Sequence, residues 1–120
     1  MNAMRRIYYE NAAYHVLSRG NNRHKILDKK EDKKSFLETV IKYKKRFKFK
    51  VYGYCLMDNH FHMFLETDVK HNISRIMQAL LLSYSTKYRN KYGYVGHVWQ
   101  GRFISRNVEN EKTPGTFPDN

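Results

Sequence analysis

Three features of the sequence predict an α+β domain: two stretches with apolar residues at helical spacing, two strand-like runs separated only by Asp58-Asn59, and a further strand-like run toward each end. In chain order they give strand, helix, strand, strand, helix, strand. That is the ferredoxin-like or RRM-like βαββαβ arrangement, an antiparallel sheet with two helices on one face. A chain of 120 residues holds one such domain, expected over residues 1–112, with 113–120 as an irregular C-terminal tail.

Each element follows from local chemistry. Ala13-Tyr14-His15-Val16-Leu17-Ser18 reads as a strand closed by the turn-like Gly20-Asn21-Asn22. Asp32 is the expected N-cap of a helix running to about Phe47, with Phe36, Leu37, Val40, Ile41 and Phe47 on its apolar side. Lys34, Lys42, Lys45 and Arg46 on the other side read as a solvated face. Phe49 to Met57, rich in aromatic and β-branched residues, reads as a strand, and His60 to Thr67 returns antiparallel to it as a hairpin. Asn72 caps a second helix whose Ile73, Ile76, Met77, Leu80, Leu81, Tyr84 and Tyr88 form one core-facing stripe, ended by Gly93 and Gly96. Trp99 to Val108 completes the sheet, with an irregularity at Gly101.

Composition narrows the function. A hydrophobic content of 41% supports a packed core rather than disorder. The 23 Lys and Arg against 11 Asp and Glu give a formal charge of +12. A small domain so basic suits a polyanion, since neutralising phosphates releases counterions. A membrane partner is disfavoured: no long apolar run, signal-peptide core or basic amphipathic helix flanked by Trp is present. Cys55 is the single cysteine, which excludes an internal disulfide framework and a multi-thiolate zinc site. It lies in an apolar run and reads as a buried, inert side chain, and an intracellular, cytoplasmic location is the expectation.

The chemistry is carried by His60-Phe61-His62. Alternation along a strand sends both histidines to one face, roughly 7 Å apart at Cα, and sends Phe61, Met63 and Leu65 to the other. Two imidazoles so placed can converge on one divalent ion, with phosphate oxygens completing its shell. His-x-His is common by chance, and the weight comes from context. The histidine face is the one the helices leave open, in a protein whose cations could hold a phosphate strand.

Four ordered blocks then carry a resemblance. They are Tyr14-His15-Val16-x-x-Arg19-Gly20-Asn21, Cys55-x-Met57-x-Asn59-His60-Phe61-His62, Ile76-Met77-Gln78-x-Leu80, and Gly96-His97-Val98-Trp99-Gln100-Gly101-Arg102-Phe103. Together they resemble the HUH-type single-tyrosine transposases of small insertion sequences, nearest the branch containing the REP-associated tyrosine transposases, over roughly residues 5–112. The resemblance implies that His60 and His62 bind Mg or Mn. It implies a tyrosine on a helix after the last strand that attacks a phosphate of single-stranded DNA, forming a 5′-phosphotyrosine and freeing a 3′-hydroxyl. It also implies a substrate that often carries a hairpin, and for many members a homodimer. Arg19, Asn21 and Arg23 are candidates for DNA contacts, with solvated loop residues as the plain alternative. Trp99 and Arg102 are candidates for stacking on bases, a core position being the commoner role for such a Trp.

The sequence departs from that pattern at its end. Thr113-Pro114-Gly115-Thr116-Phe117-Pro118-Asp119-Asn120 cannot continue a helix, and no tyrosine follows Tyr94. The nucleophile, and the Asn or Gln ligand expected four residues after it, are therefore missing from the pattern. The expectation is metal and DNA binding with strand cleavage lost or very weak. Tyr84 and Tyr88 belong to the core stripe, and Tyr92 and Tyr94 flank Gly93 in a turn, so none replaces the nucleophile readily. Glu66 shares the histidine face but lies about 13 Å beyond His62 by strand rise. His15, His24, His71 and His97 receive no catalytic role, and His15 reads as structural. Two other readings compete. A non-catalytic, RRM-like binder of single strands would need an aromatic-rich Lys/Arg-Gly-Phe/Tyr block, and none is present. A replication-initiator or relaxase nuclease would share the histidine pair but not the block from Gly96 to Phe103.

Overall fold

The structure, a computed structural model, describes residues 12–108. The predicted tail at 113–120 lies outside them. Strand β1 (Ala12–Arg19) leads into a single tight turn at Asn21–Arg23, and helix α1 follows (Lys30–Phe47). The β2–β3 hairpin (Lys50–Leu56, His60–Thr67), helix α2 (Ile73–Tyr92) and a short β4 (Ile104–Asn107) complete the domain. The sheet order is β2-β3-β1-β4 with every pairing antiparallel, which is the ferredoxin-like topology. Among the described residues no helix is long and apolar enough to cross a membrane.

Strand β3 sits between two neighbours and alternates strictly along its length. Phe61, Met63, Leu65 and Thr67 are buried, while His60, His62, Phe64 and Glu66 are only partly so. The buried row packs against Phe36 and Val40 of α1 and Ile76, Met77, Leu80 and Tyr84 of α2. Phe61 and Phe36 lie 4.7 Å apart between ring centroids, and Trp99 closes the cluster 5.5 Å from Phe61. This aromatic contact, worth about 0.5–1.5 kcal/mol per pair beyond area burial, fixes the phase of β3. A phase slip of one residue would bury the histidines instead.

Asp32 is not the N-cap of α1. Lys29, in extended conformation, occupies that position without a side-chain cap, and Asp32 lies in the first helical turn. Its carboxylate is buried against the end of α2, accepting from Lys91 Nζ at 2.9 Å and from the Tyr92 hydroxyl. Two donors from the other helix satisfy it more fully than a single backbone amide would, and an acid there also favours the helix dipole. Asn72 does cap α2, its side chain accepting from the Arg75 amide at 2.8 Å. Gly93 ends that helix in the left-handed conformation, φ 63°.

The last strand is shorter than the predicted span from Trp99 to Val108. Gly96 and Gly101 have positive φ, 102° and 56°, and Trp99 turns between them into the core. Its indole donates to the Leu81 carbonyl at 3.0 Å. Only an isolated bridge joins Trp99 to Gly20, and regular pairing with β1 resumes at Ile104. Strand β2 likewise begins at Lys50 rather than Phe49, whose ring is buried in the core. A bulge between Val51 and Gly53 turns Tyr52 toward the open face, where its hydroxyl donates to Glu66.

Candidate active site

The open face of the central strands gathers the polar residues. Register pairs Arg19 with His60, Leu17 with His62 and His15 with Phe64, so Arg19, His15 and both motif histidines share that face. Cys55 pairs with His62 from the β2 side and is exposed rather than buried, because that register puts it on the open face of the sheet. The two motif rings stand 5.3 Å apart between centroids at an interplanar angle of 77°.

Each ring is held through Nδ1. His60 Nδ1 lies 2.8 Å from Asn59 Oδ1, an acceptor that favours the proton on Nδ1 and so leaves the Nε2 lone pair for a ligand. His62 Nδ1 lies 3.1 Å from His15 Nε2, and the two rings stack nearly parallel, 4° apart in plane. With that nitrogen engaged, His62 also offers Nε2. Second-shell contacts of this kind orient metal-binding histidines and fix their tautomer. Burial, then the neighbouring His62 and Arg19, hold His60 below the ordinary imidazole value, which favours the neutral, ligating form.

The histidines open into a shallow cavity of about 380 Å³, lined also by Leu17, Arg19, Arg23 and Asn59. Among the described residues no group of three or more His, Cys, Asp or Glu could hold a metal ion. Two imidazoles alone would suit only a divalent ion whose other positions were filled by phosphate oxygens and water. Arg19 and Arg23 bring cationic side chains to the same cavity, fitting a bound phosphate.

The loop after β1 builds one wall. Gly20 approaches so closely that a Cβ there would stand 2.3 Å from the His24 carbonyl oxygen. Its amide donates to the Asn59 carbonyl at 2.8 Å, and the Leu27 amide donates to the Asp58 carbonyl at 2.8 Å. The loop is therefore pinned to the turn from which His60 starts.

Of the sequence-predicted residues, the structure brings together His60, His62, Arg19 and Arg23. Asn21 is half-buried and donates its amide to the Val98 carbonyl at 2.9 Å. Trp99 is largely buried, packed among Phe36, Phe61 and Tyr84, and its remaining surface lines a cavity apart from the histidines. Arg102 is exposed at a different cavity, between α2 and the 97–105 segment. Two residues were missed. Asn59 was legible as the neighbour of His60. His15 was legible by phase, since it lies four residues from Arg19 and so on the same face.

No described tyrosine serves this cavity. Tyr84 and Tyr88 lie on α2, behind the sheet, and burial pushes both phenols above their ordinary value. Tyr84 donates to the Ile26 carbonyl at 2.6 Å, and Tyr88 is bonded to His24 at 2.9 Å. Among the described strand residues Tyr52 is the tyrosine on the histidine face. Its hydroxyl is held at Glu66, about 13 Å of strand rise from His62.

The family model for IS200-like transposases matches residues 8–116. No curated protein matches the sequence. The crystal structure of a Deinococcus radiodurans R1 protein described as a transposase candidate is similar, with a TM-score of 0.68 and 14% identity over 81% of this chain and 78% of that one. A REP-associated tyrosine transposase bound to a REP hairpin is similar with a TM-score of 0.65 and 16% identity. That match covers 84% of this chain, which spans 58% of the length of its counterpart. At these identities the two structures show a shared fold, while the family match covers nearly the whole sequence. The chain belongs to the IS200-like transposase family.

Proposed function

We propose that this transposase-family chain binds single-stranded DNA bearing a hairpin and seats a divalent cation, Mg or Mn, on Nε2 of His60 and His62. The observation that carries the reading is the pair of imidazoles with Nδ1 engaged by Asn59 and His15, facing one cavity with Arg19 and Arg23. When bound, the cation would polarise a phosphate oxygen and offset the charge that develops there. His60 and His62 orient the site, and the two arginines hold the flanking phosphates by charge-assisted hydrogen bonds. The net charge of +12 supports a nucleic-acid partner. The hairpin bound by the REP-associated relative supports the form of that partner.

In the family reaction a tyrosine hydroxyl attacks the phosphate. No described tyrosine lines the histidine cavity. The reading for the described residues is binding and positioning of the strand at the histidine pair. A homodimer is part of the proposal, with β4 as an available edge strand whose Ile104 is exposed. The test is incubation with Mn and a labelled hairpin oligonucleotide, read on native and denaturing gels. A complex that Mn tightens in the wild-type chain but not in His60→Ala is expected. Binding that Mn leaves unchanged, or tightens equally in His60→Ala, would overturn the histidine site, whereas a covalent adduct that vanishes in His60→Ala would uphold it.

A further inference from the structure

A second cavity, of about 560 Å³, lies on the other side of the loop that walls the histidine site, and Arg23 lines both. Its floor is aromatic. His24 stacks on Tyr94 with centroids 4.8 Å apart, and its Nε2 is 2.9 Å from the Tyr88 hydroxyl. Tyr88 in turn packs against Tyr92 at 4.7 Å and Tyr94 at 5.6 Å. Tyr88 is buried, Tyr94 is half-buried, and Tyr92 keeps 38% of its surface exposed with Lys91 Nζ 5.0 Å from its ring centroid, so Tyr94 is the outer ring that borders the cavity without a cation over it. Lys25 and Lys29 stand at the rim beside Arg23. Of the two carboxylates present, Asp32 is already bonded by Lys91 and Tyr92, and Asp28 supplies an acceptor.

The loop between the cavities is held in an unfavourable conformation. Asn22 and Arg23 both have left-handed φ, 55° and 59°, although neither is glycine. Such strain persists only where surrounding contacts over-determine it, and it concentrates at functional sites. Here the contacts are the amides of Gly20, Asn21 and Leu27, bonded to Asn59, Val98 and Asp58. The result is Arg23 placed between an aromatic cavity and the histidine cavity.

We propose that the His24–Tyr88–Tyr92–Tyr94 cavity is a subsite for one unpaired nucleotide of the DNA strand whose neighbouring phosphate lies at His60 and His62, with Arg23 bridging the two. The base stacks on the Tyr94 ring beside Tyr92, Asp28 accepts from its amino edge, and Arg23 with Lys25 and Lys29 holds its phosphates. Protein side chains are a poorer occupant, because three cations around exposed rings favour an anionic ligand with a π-face. This inference rests on the DNA-binding reading of the histidine site.

The test is a fluorescence-anisotropy titration of the full chain with labelled hairpin oligonucleotides carrying degenerate unpaired flanks. An abasic spacer is moved through the flanks one position at a time. For the wild-type chain one flank position should weaken binding by about tenfold when abasic, in line with the stacking of one base on an aromatic side chain. Tyr94→Ala should bind the intact strand about tenfold more weakly and be indifferent to the spacer at that position, and Tyr94→Phe should behave as wild type. The abasic scan on wild-type protein keeps the test valid if Tyr94→Ala fails to fold. Uniform insensitivity to the spacer in wild-type protein, or sensitivity retained by folded Tyr94→Ala, would overturn the subsite and leave the histidine reading standing. Failure of the wild-type chain to bind any of these strands would remove both.

Discussion

His15 donates no ligand to the proposed metal site, yet its removal should loosen that site. The contact is one hydrogen bond, 3.1 Å from His15 Nε2 to His62 Nδ1, between rings stacked 5.1 Å apart. A hydrogen bond of that kind contributes about 0.5–1.5 kcal/mol net. Losing the stacked neighbour also returns rotational freedom to the His62 ring, and loss of such outer-shell partners generally costs about 10- to 100-fold in metal affinity. At 1.4 kcal/mol per factor of ten, the upper end corresponds to about 2.8 kcal/mol. His15→Ala should therefore bind Mn about tenfold or more weakly, and His15→Gln, whose amide oxygen can accept from Nδ1, should recover part of the loss. Free Mn can be counted by electron paramagnetic resonance in the presence of a hairpin oligonucleotide. Fluorescence of the buried Trp99 reports that the core is intact. Wild-type Mn affinity in folded His15→Ala would refute the positioning argument, because then nothing about His62 depends on its neighbour.

Other expectations follow from the same geometry. Arg19→Ala should weaken DNA binding across sequences and lower the slope of log affinity against log salt by about 0.7 to 0.9, the loss of one phosphate contact, as measured by titrations at several salt concentrations. Gly20→Ala should destabilise the fold by about 1–3 kcal/mol, since its Cβ would stand 2.3 Å from the His24 carbonyl oxygen, and urea denaturation measures it. It should also weaken DNA binding, because the same loop places Arg23. Phe61→Ala removes a fully buried ring between His60 and His62 and should cost about 3–5 kcal/mol, visible as a lower Tm.

The legible parts of the sequence were those in which one local pattern had one tertiary outcome. The run His60 to Thr67 alternates so regularly that only one face can be buried, and the histidine face followed. The cap at Asn72 was equally local. Asp32 was misread because an acid at a helix start looks the same whether it caps its own helix or pairs with Lys91 and Tyr92, 59 and 60 residues away. The final strand was overextended because Trp99 suits a strand and a core equally, and its choice depends on the Leu81 carbonyl of another element. His15 could be assigned to the histidine face by phase, but its bond to His62 needs the β1–β3 register, which sequence alone does not fix. The aromatic cavity beside Arg23 was illegible for a different reason. It depends on left-handed backbone at Asn22 and Arg23, where the default expectation is a right-handed or extended conformation.

The most direct test of the central claim is the effect of Mn on hairpin-oligonucleotide affinity in the wild-type chain, His60→Ala and His62→Ala, each compared with a metal-free titration. The account predicts that Mn tightens binding by the wild-type chain, that each substitution abolishes this increment, and that metal-free binding through the arginines survives in both. An equal effect of Mn on all three proteins would place the metal elsewhere and contradict the assignment of His60 and His62.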